Sequence, residues 1–116
     1  VEPLTAADTA AMCKIYKVKT AQEISDKNLY QRHPVLVTIG DNSYAASMYG
    51  VPHNYPAGDT IPDNDFYGQF CIHFVNSKTH GSGIVDVGNS KNGWYGHQDA
   101  IMDAYRNAAK KLNIKN

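Results

Sequence analysis

Gly68-Gln69-Phe70-Cys71-Ile72-His73-Phe74-Val75-Asn76-Ser77-Lys78-Thr79-His80-Gly81 is the stretch around which the chain is organised. At a period of two, Phe70, Ile72 and Phe74 fall on one face of a strand and Cys71, His73 and Val75 on the other. The first face reads as core. The second sets a thiol and an imidazole roughly 7 Å apart, at about 3.3 Å of rise per residue. Residues 76–79 read as a turn that delivers His80. Taken alone, His73 reads as a hydrogen-bonded core residue. His53, His80 and His97, all in glycine- and asparagine-rich surroundings, turn the reading towards a metal or catalytic site.

Working outward, Thr5 is a natural N-cap and Asp8 completes a capping box, so a helix is expected to run to about Tyr16, burying Met12, Ile15 and Tyr16. Thr20 and Glu23 repeat the signal for a short helix to about Asp26. Pro34 opens Val35-Leu36-Val37-Thr38-Ile39, a β-branched run expected as a buried strand. Gly40-Asp41-Asn42 is a turn and residues 43–49 a second strand, giving a hairpin. Residues 50–68, with Pro52, Pro56, Pro62 and Gly58, read as a long connection containing His53. Ile84-Val85-Asp86-Val87 is expected as a short strand. A helix over 97–112 carries an apolar stripe of Ile101, Met102, Tyr105, Ala108, Ala109 and Leu112, with Lys110, Lys111 and Lys115 at its C-terminal end. The layout predicts an α+β fold: a small antiparallel β-sheet with flanking helices and long irregular loops.

Length and charge set the bounds. The 116 residues suit one domain over 1–116. Lys plus Arg and Asp plus Glu number 11 each, so the net charge is zero and nucleic acid is not an expected partner. No apolar run is long enough for a membrane span. The chain opens on Val1, as expected of a processed product or a piece of a longer protein. Two cysteines do not make a disulfide scaffold, and whether Cys13 and Cys71 form a bridge is left open.

A catalytic zinc takes three protein ligands and keeps an open position. His73, His80 and His53 are the expected metal ligands. His97 is an alternative ligand or a general acid/base, and Asp86 orients an imidazole or acts as base. Cys71 reads either as an inert buried residue, which is the expectation, or as a thiolate activated by His73. His33 reads as a solvated surface residue. Trp94 and Tyr95, on a glycine-rich loop, read either as a platform for sugar rings or as a cap on the core.

Tyr44-Ala45-Ala46-Ser47-Met48-Tyr49-Gly50-Val51-Pro52-His53, residues 68–74 with Ser77-Lys78-Thr79-His80-Gly81, then Asp86 and His97-Gln98, resemble a domain of clostridial and related Gram-positive proteins. These are fused zinc-dependent amidase/peptidase and peptidoglycan-binding proteins. The opening Val1-Glu2-Pro3-Leu4-Thr5-Ala6-Ala7-Asp8-Thr9 is similar too, so the resemblance spans nearly the whole chain. It implies an extracellular cell-wall hydrolase acting on peptidoglycan with zinc. The sequence departs from the family in starting after a His-Ala-Asp-like segment, in a longer run over 17–31, and in an insertion over 91–95. A non-catalytic peptidoglycan-binding module and a Cys71/His73 thiol enzyme are the alternatives.

Overall fold

The computed structural model describes residues 1–80, 83–88 and 93–111. The elements in chain order are α1 (Ala6–Tyr16), α2 (Gln22–Asp26), β1 (His33–Ile39), β2 (Asn42–His53), β3 (Gln69–His73) and α3 (His97–Lys111). The three strands make one antiparallel sheet in the order β1-β2-β3, so the α+β class holds. The chain divides into two compact units. The first holds Val1–Gln31 and Tyr49–Cys71; the second holds Arg32–Met48 and the described residues from Ile72 onward.

In the first unit, α1 begins at the expected capping box. Thr5 Oγ1 accepts from the Asp8 amide at 3.2 Å and Asp8 Oδ2 accepts from the Thr5 amide at 3.1 Å. Its buried residues are Thr9, Met12, Cys13 and Tyr16, spaced as one helical stripe. Ile15 lies off that stripe and is exposed, contrary to expectation. Ile24, Phe66 and Phe70 complete this core, with the two phenylalanine rings edge to face at 5.6 Å.

β2 runs past the expected end at Tyr49 and takes in His53, which is therefore a strand residue and not a loop residue. Two local features permit this. Gly50 has no side chain where the Tyr16 ring passes, and its amide donates to Tyr16 Oη at 2.8 Å. Pro52 lies beyond Met48, the last residue of β2 that β1 pairs, so its missing N–H costs no bond to β1.

In the second unit, β1 and β2 form the hairpin, from His33 opposite Met48 to Ile39 opposite Asn42. The loop is Gly40-Asp41, with Gly40 at φ +60, the left-handed value that the first position of a tight hairpin loop favours. β1 alternates between half-buried and exposed residues, with Leu36 and Ile39 exposed. It is thus half-buried, not a fully buried strand. α3 packs on β1 and buries Ala100, Ile101, Ala104 and Ala109. Met102 and Tyr105, expected in the stripe, are exposed. Leu112 and Lys115 lie outside the described residues.

β3 stops at His73, so Phe74 and Val75 are both exposed and the expected alternation ends two residues early. Asn76, at φ +62, turns the chain. The strand expected at 84–87 is reduced to one bridge between Lys78 and Val85.

Replacing Tyr16 with Phe removes the partner of a buried backbone amide. Chemical denaturation of Tyr16→Phe is expected to show a loss of about 1–2 kcal/mol; unchanged stability would contradict the role given to the phenol.

Candidate functional site

The chemistry-bearing side chains fall into two local groups, one in each unit. In the first unit, β2 ends in His53 and β3 carries Cys71. Cys71 Sγ lies 3.4 Å from His53 Nε2, and His53 Nδ1 lies 2.9 Å from the Val51 carbonyl. A carbonyl accepts only, so Nδ1 carries the proton and Nε2 presents its lone pair towards the sulfur. Both residues are half-buried and so within reach of solvent. Burial raises the Cys71 thiol above its ordinary pKa, and the charged amino terminus opposes this in part. Burial thus favours the protonated form of the thiol that faces His53 Nε2.

Gly68 fixes this arrangement locally. It takes φ +100, and a Cβ there would stand 2.2 Å from the His53 carbonyl oxygen, so only glycine lets β3 begin so close to the end of β2. Nitrogen and sulfur donors side by side suit zinc and other borderline metals. His53 and Cys71 belong to a set of donors that could hold a metal ion. Both cysteines are free thiols, which closes the question of a bridge.

The second unit holds a different assembly. His73 and His97 stack at 3.8 Å between ring centroids, with the ring planes 15° apart. His97 Nδ1 and Ser47 Oγ are 2.7 Å apart, and His73 Nδ1 and Ser77 Oγ 3.1 Å. Ser47 and His97 are 0% and 2% exposed, beyond reach of any substrate. Asp86 is also buried and collects three donors. Arg32 Nε reaches Oδ2 at 3.1 Å, Trp94 Nε1 reaches Oδ1 at 2.9 Å, and the His97 amide reaches Oδ2 at 2.8 Å. The Arg32 guanidinium also lies over the Trp94 ring, 4.8 Å from its centroid. Gly96 lets the start of α3 approach, because a Cβ there would sit 2.5 Å from the Asp86 carbonyl oxygen.

The electrostatics follow from this packing. Burial alone would raise the Asp86 pKa, but the hydrogen bonds from Trp94, the His97 amide and Arg32 outweigh it and hold the carboxyl below its ordinary value. His97 is pushed down to about 4, first by burial and then by His73 and Arg32. His73 is lowered by burial, with Asp86 opposing and Arg32 and His80 adding to the shift. Two neutral imidazoles stack; two charged ones would repel.

The expected residues are placed as follows. His53 meets Cys71 in the first unit. His73, His97 and Asp86 share the second unit's buried network. His80 is exposed, two residues after Lys78 of the Lys78–Val85 bridge. The thiol's imidazole partner is His53, where strand alternation named His73. His33 is half-buried, not solvated, and burial lowers its pKa. Trp94 is about half exposed but tied to Asp86 and Arg32. The Tyr95 phenol donates to Asp103 at 2.5 Å, and burial and that carboxylate push its pKa up. Sequence reasoning assigns Arg32 no role, and Ser47 figures only within the stretch 44–53 that carries the family resemblance.

Comparison with known protein families, curated proteins and solved structures finds no match for this chain.

The buried imidazoles predict acid lability. His97 takes up its proton near pH 6.5 when unfolded but only near 4 when folded. Its contribution to stability is therefore complete above pH 6.5 and lost progressively as pH falls to about 4. At 1.36 kcal/mol per unit, this amounts to about 3 kcal/mol. Urea unfolding at several pH values is expected to show that slope, and His97→Gln to flatten it. A wild-type slope of zero across the window would refute the neutral stack.

Proposed function

We propose that this chain is a zinc-dependent cell-wall hydrolase that cuts an amide of peptidoglycan at the His53–Cys71 pair. The observation that carries the reading is the contact of Cys71 Sγ with His53 Nε2 at 3.4 Å, with the imidazole oriented by the Val51 carbonyl. An imidazole whose other nitrogen is held by a carbonyl is the usual outer support of a metal-binding histidine. His53 and Cys71 would hold the ion. When bound, zinc supplies Lewis-acid activation of the amide and of water. Cys71 must give up its proton to ligate, so zinc affinity rises with pH. The Val51 carbonyl keeps the His53 proton on Nδ1, and Gly68 keeps β3 against the end of β2. The amide and peptidoglycan assignments rest on the family resemblance, and a wall-associated, extracellular location accompanies them.

The same contact favours one second reading, a thiol hydrolase. There His53 Nε2 takes the Cys71 proton as the sulfur attacks the amide carbon. The carbon–nitrogen bond then breaks, His53 returns the proton to the departing amine, and water cleaves the thioester.

Purified Gram-positive peptidoglycan separates these readings. Zinc hydrolysis is expected to release amino groups without new reducing ends, to stop with chelator and to recover with zinc. The protein is expected to carry about one zinc per chain. Cys71→Ser and His53→Ala are each expected to lose both metal and activity. Activity that survives chelator and falls to a thiol alkylator selects the thiol reading. Reducing ends without amines would refute amide cleavage, and wall binding with neither product would leave a binding module.

A further inference from the structure

Three contacts succeed one another where β2 meets β3, all within the first unit. His53 touches Cys71. Asn54 Nδ2 donates to Gln69 Oε1 at 3.0 Å. The rings of Tyr55 and Tyr67 meet edge to face, 5.8 Å between centroids and 89° between planes. Partners on the β3 side step by two, which keeps Cys71 and Gln69 on one face of the strand. On the other side Asn54 takes φ +60, a left-handed turn that brings successive side chains to that face. The reacting pair is thus followed by a carboxamide pair and then by an aromatic pair.

The tyrosines are not core residues. Tyr55 is 62% and Tyr67 63% exposed, yet the backbone beneath them is well bonded. The Gly58 amide donates to the Asn54 carbonyl at 2.7 Å and the Asp59 amide to the Pro56 carbonyl at 3.0 Å. The Gly68 amide reaches Asp59 Oδ1 at 3.4 Å, and the Thr60 and Ile61 amides donate to Glu2. Two large rings held in water on a firm loop, next to a candidate reactive pair, form a ready binding platform. Tyr67 also borders a cleft of about 400 Å³ in the same unit.

The chemistry of the row selects the ligand. Tyrosine faces accept the apolar C–H face of a pyranose. The Asn54–Gln69 bond leaves Asn54 Oδ1 as an acceptor and Gln69 Nε2 as a donor, a match for the N–H and C=O of an acetamido group. Asp59, Asp63 and Asp65 on the same loop disfavour a phosphate or other anion. We infer that Tyr55 and Tyr67, with Asn54 and Gln69, form a subsite for an N-acetylated amino sugar beside the His53–Cys71 pair. The location beside a reactive centre rests on the proposed hydrolase; the sugar binding does not. In a sugar–peptide polymer, the subsite sets the glycan next to the scissile amide.

The test is titration of the protein with a soluble β-1,4-linked tetramer of N-acetylglucosamine, followed by NMR. Signals of residues 53–55 and 67–69 are expected to shift, with Kd on the order of 1 mM. Tyr55→Ala and Tyr67→Ala are each expected to weaken binding about tenfold. Tyr67→Phe is expected to bind normally, and a glucose tetramer without acetamido groups to bind more weakly. The Phe variant and the spectra of the free proteins separate lost stacking from lost folding. Cys71→Ser is expected to bind like the wild type while losing hydrolysis. The subsite is overturned if the tetramer shifts none of these signals, or if both folded Ala variants bind as the wild type does. Binding mapped to the tyrosines in a protein that never cleaves peptidoglycan upholds the subsite and removes the hydrolase. Cleavage that depends on Cys71 but tolerates both tyrosine substitutions, with sugar binding unchanged, removes the subsite alone.

Discussion

The second unit depends on the Asp86 carboxylate. Arg32 from the edge of the hairpin, Trp94 from the segment before α3, and the first amide of α3 all donate to it. A buried carboxylate with fewer partners would be expensive, and one with three charged or polar donors becomes a fixed point. It also satisfies one of the amides that a helix start leaves without an intrahelical partner. Because α3 begins there, His97 is delivered into the interior, against Ser47 on β2 and face to face with His73 at the end of β3. Removing Arg32 would leave the buried Asp86 charge without its ionic partner, at a cost of about 3–5 kcal/mol.

This accounts for a division of labour among the histidines. His73 and His97 are kept neutral by burial and by each other, and their Nδ1 atoms are taken up by serine hydroxyls. His53 is half-buried, its tautomer is set by a backbone carbonyl, and its remaining nitrogen faces a thiol. An imidazole that is to bind a metal or move a proton needs solvent access and a fixed tautomer. His53 meets both conditions. The buried pair fills space and hydrogen-bonds without introducing charge.

The fold class, the helix starts and the hairpin were legible in the sequence because they depend on local signals. The Thr5–Asp8 capping box, the Gly40-Asp41 loop and the β-branched run before it act over a few residues. The misplaced features depend on contacts distant in sequence. Gly50 and Pro52 punctuate the chain locally, yet β2 continues through both, because the Tyr16 ring occupies the space at Gly50 and β1 has already ended at Pro52. That extension brings His53 to Cys71, 18 residues later. Alternation within one strand named His73 as the thiol's neighbour, since it sees only the strand's own face. In α3, Ala100 and Ala104 are buried where Met102 and Tyr105 were expected, because close packing on β1 favours small side chains.

The claim that the reactive centre is the His53–Cys71 pair, and not the buried histidines, is tested most directly by absorption spectroscopy of the cobalt(II)-substituted protein. The His53–Cys71 pair is expected to give a thiolate-to-cobalt charge-transfer band that saturates at about one metal per chain, disappears in Cys71→Ser and persists in Cys13→Ser. A band that survives Cys71→Ser and vanishes in Cys13→Ser, or the absence of any such band, would contradict it.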